Sequence, residues 1–197
     1  MPHRLGVADL FPQWYRTFLV VIFIGFFRMP HTPPPLDNVL QSLASRWGKL
    51  DVSTYRNQTR IVVAESVSLE VLEFLKAEGF DLLVDVTCVD YLEYRGALNR
   101  YGLVYLLTST TTNQRLTVRV FVDDPTPCVR SVVPLWEAAN WLEREVWDLF
   151  GIHFEGHPDL RRLLMPEEFA AHPLRKDYPL QGRGERHNFP ILTRHDG

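Results

Sequence analysis

The sequence predicts an α+β fold: a two-layer domain with a mixed sheet, helices on one face, and an extended C-terminal arm. Three observations lead there. Helical and strand-like periods follow one another as helix, strand, helix, three strands, helix, an order that two packed layers accommodate. The strand-like runs Tyr101 to Ser109 and Arg115 to Val122 are joined by the short polar stretch Thr110-Thr111-Thr112-Asn113-Gln114, as in a hairpin. Beyond Gly151, glycine and proline recur too often for either period to continue.

Taken in order, Pro33-Pro34-Pro35 breaks any helix and divides an extension, residues 1–35, from a domain at 36–154 and an arm at 155–197. Leu36, Val39, Leu40, Leu43 and Trp47 fall at helical spacing, and Gly48 suits the position after a helix. Arg60 to Ala64 reads as a short β-branched strand. Ser68 is expected to cap a helix carrying the stripe Leu69, Leu72, Phe74 and Leu75, which Gly79 ends. Asp81 to Asp90 is strand-like, and in Arg115 to Val122 the residues Leu116, Val118, Val120 and Val122 alternate with Thr117, Arg119 and Phe121. After the break at Asp123 to Pro127, a long helix is expected from about Val132 to Phe150, its stripe formed by Leu135, Ala139, Leu142, Val146 and Leu149.

Composition narrows the function. The 197 residues are 46% hydrophobic and 23% charged, enough for one real core. A net charge of −3 gives no basic excess for nucleic acid. Cys88 and Cys128 stand far apart with no CxxC pairing, so neither a disulfide framework nor a thiolate-held cluster is expected. The run Phe18 to Phe27 is apolar but short for a membrane span. It reads as translated upstream of a true start at Met29, as a membrane-touching anchor, or as a buried strand.

No phosphate-cradling glycine loop, nucleophile elbow or HExxH pair occurs. Glu143, Arg144, Glu145 and Asp148 are the best acid–base candidates, with Arg144 able to reach Asp148 at i, i+4. They read otherwise as a surface for a partner, ahead of an ion-paired helix face. His153 and His157 would share a helix face suited to a metal, but Gly151, Gly156 and Pro158 make the segment a loop. The tryptophans Trp136, Trp141 and Trp147 divide between core and interface readings. In the segment His172 to Leu180, two prolines and interleaved charges suit an arm that docks Leu174, Tyr178 and Leu180, with Arg175, Lys176 and Asp177 setting register.

Three blocks stand in order between Asn140 and Leu180: EREVWDLFG, GHPDLRRL and HPLRKDYPL. Together they resemble the thirty-kilodalton subunit family of respiratory complex I, NADH:quinone oxidoreductase, in its unfused bacterial form; the resemblance covers Leu36 to Pro190. It implies a peripheral-arm structural subunit without a redox centre or catalytic residues of its own. FMN, iron–sulfur clusters and quinone would belong to partner subunits. Those partners would be the quinone-site subunit of the forty-nine-kilodalton type and the cluster-carrying subunits, with membrane association through the complex on the cytoplasmic side of the inner membrane. The resemblance favours the interface reading for Glu143, Arg144, Glu145 and Asp148, and adds Arg161, Arg162, His172, Arg175, Lys176, Asp177 and Tyr178 to the expected partner surface. Homologous subunits of ferredoxin-linked or hydrogenase-type membrane complexes fit the same motifs. A free-standing hydrolase using Glu145, Asp148 and His153 is the alternative from another class.

Overall fold

A computed structural model describes residues 36–184; the extension with its apolar run, and the chain beyond residue 184, lie outside the described residues. Helix α1 (Leu36–Trp47) is followed by the hairpin β1 (Asp51–Tyr55) and β2 (Gln58–Val63), a 3-10 turn (Glu65–Val67) and helix α2 (Ser68–Ala77). A meander of β3 (Leu82–Asp90), β4 (Tyr101–Thr108) and β5 (Arg115–Val122) comes next. The short strand β6 (Cys128–Arg130), helix α3 (Ala139–Phe150) and strand β7 (His153–Glu155) complete the regular structure.

The sheet runs β1-β2-β5-β4-β3. After β2 the chain crosses through α2 to the far edge, and the antiparallel meander returns to lay β5 beside β2 in parallel. That return makes the sheet mixed. Strand alternation then turns one side chain in two toward the helices. Ile61, Val63, Leu83, Val86, Leu103, Tyr105, Leu107, Val118 and Val120 on that face join Val39 and Leu43 of α1, Leu72 and Leu75 of α2, and Val146 of α3 in one core. Strands β6 and β7 pair in parallel as a separate ribbon beside α3. The α+β architecture with a mixed sheet is therefore as expected, and the segment after β7 has no helix or strand among the described residues.

Several expectations need correction. The helix begins at Ala139, and residues 133–135 and 137–138 form turns. The Val132 carbonyl accepts from both Leu135 and Trp136 N–H, the Trp136 indole donates to the Asp81 carbonyl at 3.1 Å, and Lys76 donates to the Leu135 carbonyl. Those ties hold the segment to its neighbours as separate turns. Ser68 does not cap α2: its hydroxyl donates to the Glu65 carbonyl at 2.7 Å, and the helix continues out of the 3-10 turn. Strand β1 went unforeseen because all five of its residues are exposed, leaving no apolar alternation to read. Its turn uses Arg56 and Asn57 at φ 50° and 62°, the left-handed pair of a tight hairpin, with arginine where glycine or asparagine usually signals one.

Candidate functional site

The motif-bearing segment gathers at the C-terminal half of α3. The helix buries Ala139, Glu143, Val146 and Phe150, a stripe at i, i+4, i+7 and i+11 with a carboxylate inside it. Glu143 is 0% exposed, and it accepts hydrogen bonds from the Ser131 hydroxyl and the Val132 N–H, both at 2.7 Å. Burial pushes its pKa up to about 7 against these two donors. His157 Nε2 lies 4.0 Å from the same carboxylate. The Asp159 N–H donates to His157 Nδ1, which assigns the ring proton to Nε2 and directs it to the Asn140 carbonyl at 3.1 Å.

One turn on, Asp148 is also 0% exposed. It binds Arg162 Nη1 at 2.6 Å and accepts from the N–H groups of Leu163, Leu164 and Met165 at 3.0, 2.7 and 2.8 Å. Burial alone would raise its pKa; the N–H donors of Met165 and Leu164, the Arg162 guanidinium and the Leu163 N–H outweigh burial and hold the carboxyl below the usual range. Arg144 does not reach back to Asp148. Its guanidinium donates to the carbonyls of Arg161 and Arg162 at 3.1 and 3.0 Å. The segment 161–165 is thus wrapped around α3 by one acid and one base of the same helix.

The HPLRKDYPL block closes the helix end. The last carbonyls of a helix have no partner within it. Here His172 Nδ1 donates to the Asp148 carbonyl at 2.9 Å, the Leu174 N–H to that of Leu149 at 3.0 Å, and Arg175 Nε to that of Phe150 at 2.5 Å. Burial and the nearby Arg175 and Arg162 guanidinium groups lower the His172 pKa against that hydrogen bond to the Asp148 carbonyl. Gly151, at φ 73°, makes the left-handed exit. A Cβ there would sit 2.5 Å from the His172 ring and 2.6 Å from Arg175, so only glycine lets the arm lie this close. Further on, the Lys176 N–H donates to Asp90 at 2.8 Å, and Arg100 binds Asp90, Asp124 and Asp177 at 3.2, 2.5 and 3.0 Å. Burial would raise the Asp90 pKa, but Arg100 and the N–H groups of Lys176 and Leu92 hold it low.

Of the residues expected to face a partner, Glu143, Arg144 and Asp148 are instead buried within the chain. Arg162, His172 and Arg175 are half-buried and bound to α3, and Asp177 pairs with Arg100. Tyr178 packs its ring 5.8 Å from that of Phe169. Glu145, Arg161 and the side chain of Lys176 are exposed. Trp141 is 58% exposed, Leu164 56% and Leu174 49%. Sequence reasoning missed Asp90, Arg100 and Ser131. Asp90 had a signal: it falls on the alternate positions of β3 that carry Leu83, Val86 and Cys88 into the core. Arg100 and Ser131 sit in loop or strand-end positions with no period to mark them. Among the described residues no three His, Cys, Asp or Glu side chains come together as a metal would need. A carboxyl titrating near neutrality suits acid–base chemistry, but Glu143 is sealed from solvent, so the cluster as it stands joins chain segments.

Residues 61–184 match the sequence model of the family described as "Respiratory-chain NADH dehydrogenase, 30 Kd subunit". The chain is 56% identical over 110 residues to the C subunit of NADH-quinone oxidoreductase from Acidithiobacillus ferrooxidans, covering 54% of each. It thus spans about half the length of that relative. The counterpart in Trichlorobacter lovleyi is 48% identical over 136 residues, 68% of this chain and 83% of that protein. A solved trypsin-resistant fragment of Nqo5 superposes with a TM-score of 0.59 at 36% identity, over 64% of this chain and 98% of the fragment. A chain from the structure of an archaeal membrane-bound sulfane sulfur reductase shares the fold, with a TM-score of 0.66 at 21% identity, over 80% of this chain and 93% of that one.

Proposed function

The chain belongs to the thirty-kilodalton subunit family of respiratory-chain NADH dehydrogenases, and from that premise we propose that it is a peripheral-arm structural subunit of a proton-translocating NADH:quinone oxidoreductase. In this reading it packs on the large partner, of the forty-nine-kilodalton type, that helps form the quinone site. Its contribution to electron transfer from NADH to quinone is rigidity and position. FMN, the iron–sulfur clusters and quinone are held by partner subunits, and no residue of this chain touches the reacting atoms.

The observation that carries the reading is the outer surface of the α3 cluster. Its buried acids and bases are bound by the chain's own groups, which makes a rigid platform. Trp141 and Glu145 stand at i, i+4 on that platform's exposed side, and the Arg144 guanidinium lies over the Trp141 ring at 5.0 Å. A large exposed aromatic with charged neighbours is the composition of a protein contact. No helix of the described residues is long and apolar enough to cross a membrane. Attachment to the cytoplasmic side of the inner membrane is accordingly proposed to run through the complex.

The test is recovery from mild detergent on a C-terminal tag, with mass spectrometry and an NADH:quinone assay. The reading expects the quinone-site, cluster-carrying and flavin subunits to co-purify, and Trp141→Glu to reduce that recovery without unfolding the chain. Recovery with a hydrogenase, or without NADH-oxidising subunits, would move the chain to a sister complex. A lone monomer that turns over a substrate would overturn the structural role.

A further inference from the structure

The helices cover one face of the sheet, and the other face stays open among the described residues. Down its middle run the alternate β5 positions Arg115, Thr117, Arg119 and Phe121, flanked by Leu106 and Val104 of β4 and by Arg60 and Val62 of β2. Leu82, Val84 and Val89 of β3 are 44%, 51% and 39% exposed. Two hollows open here. One, about 330 Å³, is lined by Leu82, Val84, Leu106, Arg115 and Thr117 among others. The second, about 440 Å³, lies between Tyr91, Tyr94, Leu98, Arg119 and Phe121. Its wall depends on Gly102, where a Cβ would come within 2.8 Å of the Tyr91 ring.

The Arg60 guanidinium lies over the Tyr55 ring at 4.9 Å, but the charge on this face has no acid to answer it among the described residues. Arg119 Nε is buried with no hydrogen-bond partner, and a buried donor left unmade costs stability that a partner would restore. None of Arg60, Arg115 and Arg119 forms an ion pair among the described residues. The acids of the face, Asp51 and Asp85, lie opposite Val62 and Leu106 on the two edge strands. The centre of the face is therefore cationic and apolar.

We propose that this open face docks an acidic amphipathic helix from another protein chain, its apolar side chains filling the two hollows and a carboxylate pairing with Arg119. From Arg115 to Phe121 the floor is roughly 20 Å long at about 3.4 Å per strand residue, a span that about 13 helical residues match at about 1.5 Å each. Helices are the usual cover for such a face. A second copy of this chain fits poorly, because a two-fold contact would set the arginines of the central strands against one another. The surface lies across the sheet from Trp141, so it goes beyond the docking proposed for α3 and needs none of its residues.

The test places a photo-crosslinking benzophenone amino acid at position 84 of the full chain, irradiates it in the assembled state and maps the joined peptide. The proposal expects one acidic, apolar, helix-forming segment of a different chain. Arg119→Glu should reduce the yield about tenfold or more, as an unpaired interfacial charge does, and reversing the segment's carboxylate to arginine should restore it. Crosslinks to a second copy or within this chain, no crosslink, or a yield indifferent to Arg119→Glu would each overturn it. Trp141→Glu is run alongside. It should leave the position-84 crosslink unchanged while lowering recovery of the quinone-site partner, which separates failure of either surface from failure of the other.

Discussion

Along α3 and just past its C-terminal end the carboxylates of Glu143 and Asp148 and the guanidinium groups of Arg144, Arg162 and Arg175 all find partners within the chain, whereas across the sheet Arg60, Arg115 and Arg119 form no ion pair among the described residues. The first region is dense in motif residues and reads from sequence as a surface for others. The second is an ordinary alternating strand, and it is where polar and apolar groups are left open. Distinctive residues mark the place where a fold is hardest to close. Here they close a helix end against an irregular arm, and a partner then meets the outside of that arm.

The contrast can be broken by substitution. Asp148→Ala should have the largest effect, a loss of about 3–5 kcal/mol in urea unfolding, because it strands Arg162 and three N–H groups in a buried site. Arg119→Ala should cost no such loss: it removes a buried donor with no partner, so the chain should be as stable or about 1 kcal/mol more so. Equal losses in the two would erase the distinction. Gly151→Ala comes next, at about 1–3 kcal/mol for a side chain at positive φ, with further loss where its Cβ meets His172. Gly102→Ala, in extended backbone, should keep the chain folded and displace Tyr91, which a change in tyrosine fluorescence would follow.

A pH series sharpens the comparison. Glu143 titrates at about 7 in the folded chain against a reference of 4.5. Its folded pKa is raised, so its stabilising effect is complete below pH 4.5 and is lost as pH rises to about 7, a fall of roughly 3 kcal/mol. Asp90 and Asp148 have lowered values, so their contribution is present above their ordinary range and is lost as pH falls below it through the lowered folded values. Wild type minus Glu143→Gln, by urea unfolding from pH 4 to 8, should isolate the first effect. A difference that does not change with pH would mean that Glu143 titrates alike in the folded and the unfolded chain. The smallest effect on stability is expected for Trp141→Glu, within about 0.5 kcal/mol, with its loss read only in co-purification.

Much of the fold was legible because its signals are periodic. Leu36, Val39, Leu40, Leu43 and Trp47 announce α1, and the alternation about Val118 announces β5. Strand β1 was hidden by its exposure, and β6 and β7 by their length of three residues each. The site was half legible. Its residues stood out, but a sequence does not say whether Arg144 turns toward Asp148 one helical turn away or toward carbonyls 17 and 18 residues on. That choice depends on where the arm lies, which local propensity does not decide. Asp90 shows the reverse case, a carboxylate on the apolar register of a strand that could have been recognised as a tie to a distant segment.

Hydrogen exchange on the purified full chain, without partners, tests the central claim most directly. The account predicts that the N–H groups of Leu163, Leu164, Met165 and Lys176, bound to Asp148 and Asp90, are protected in the isolated chain, and that Asp148→Ala releases the first three. Free exchange at all four in the isolated chain, with protection only in the assembled complex, would contradict it: the arm would then be ordered by its partner.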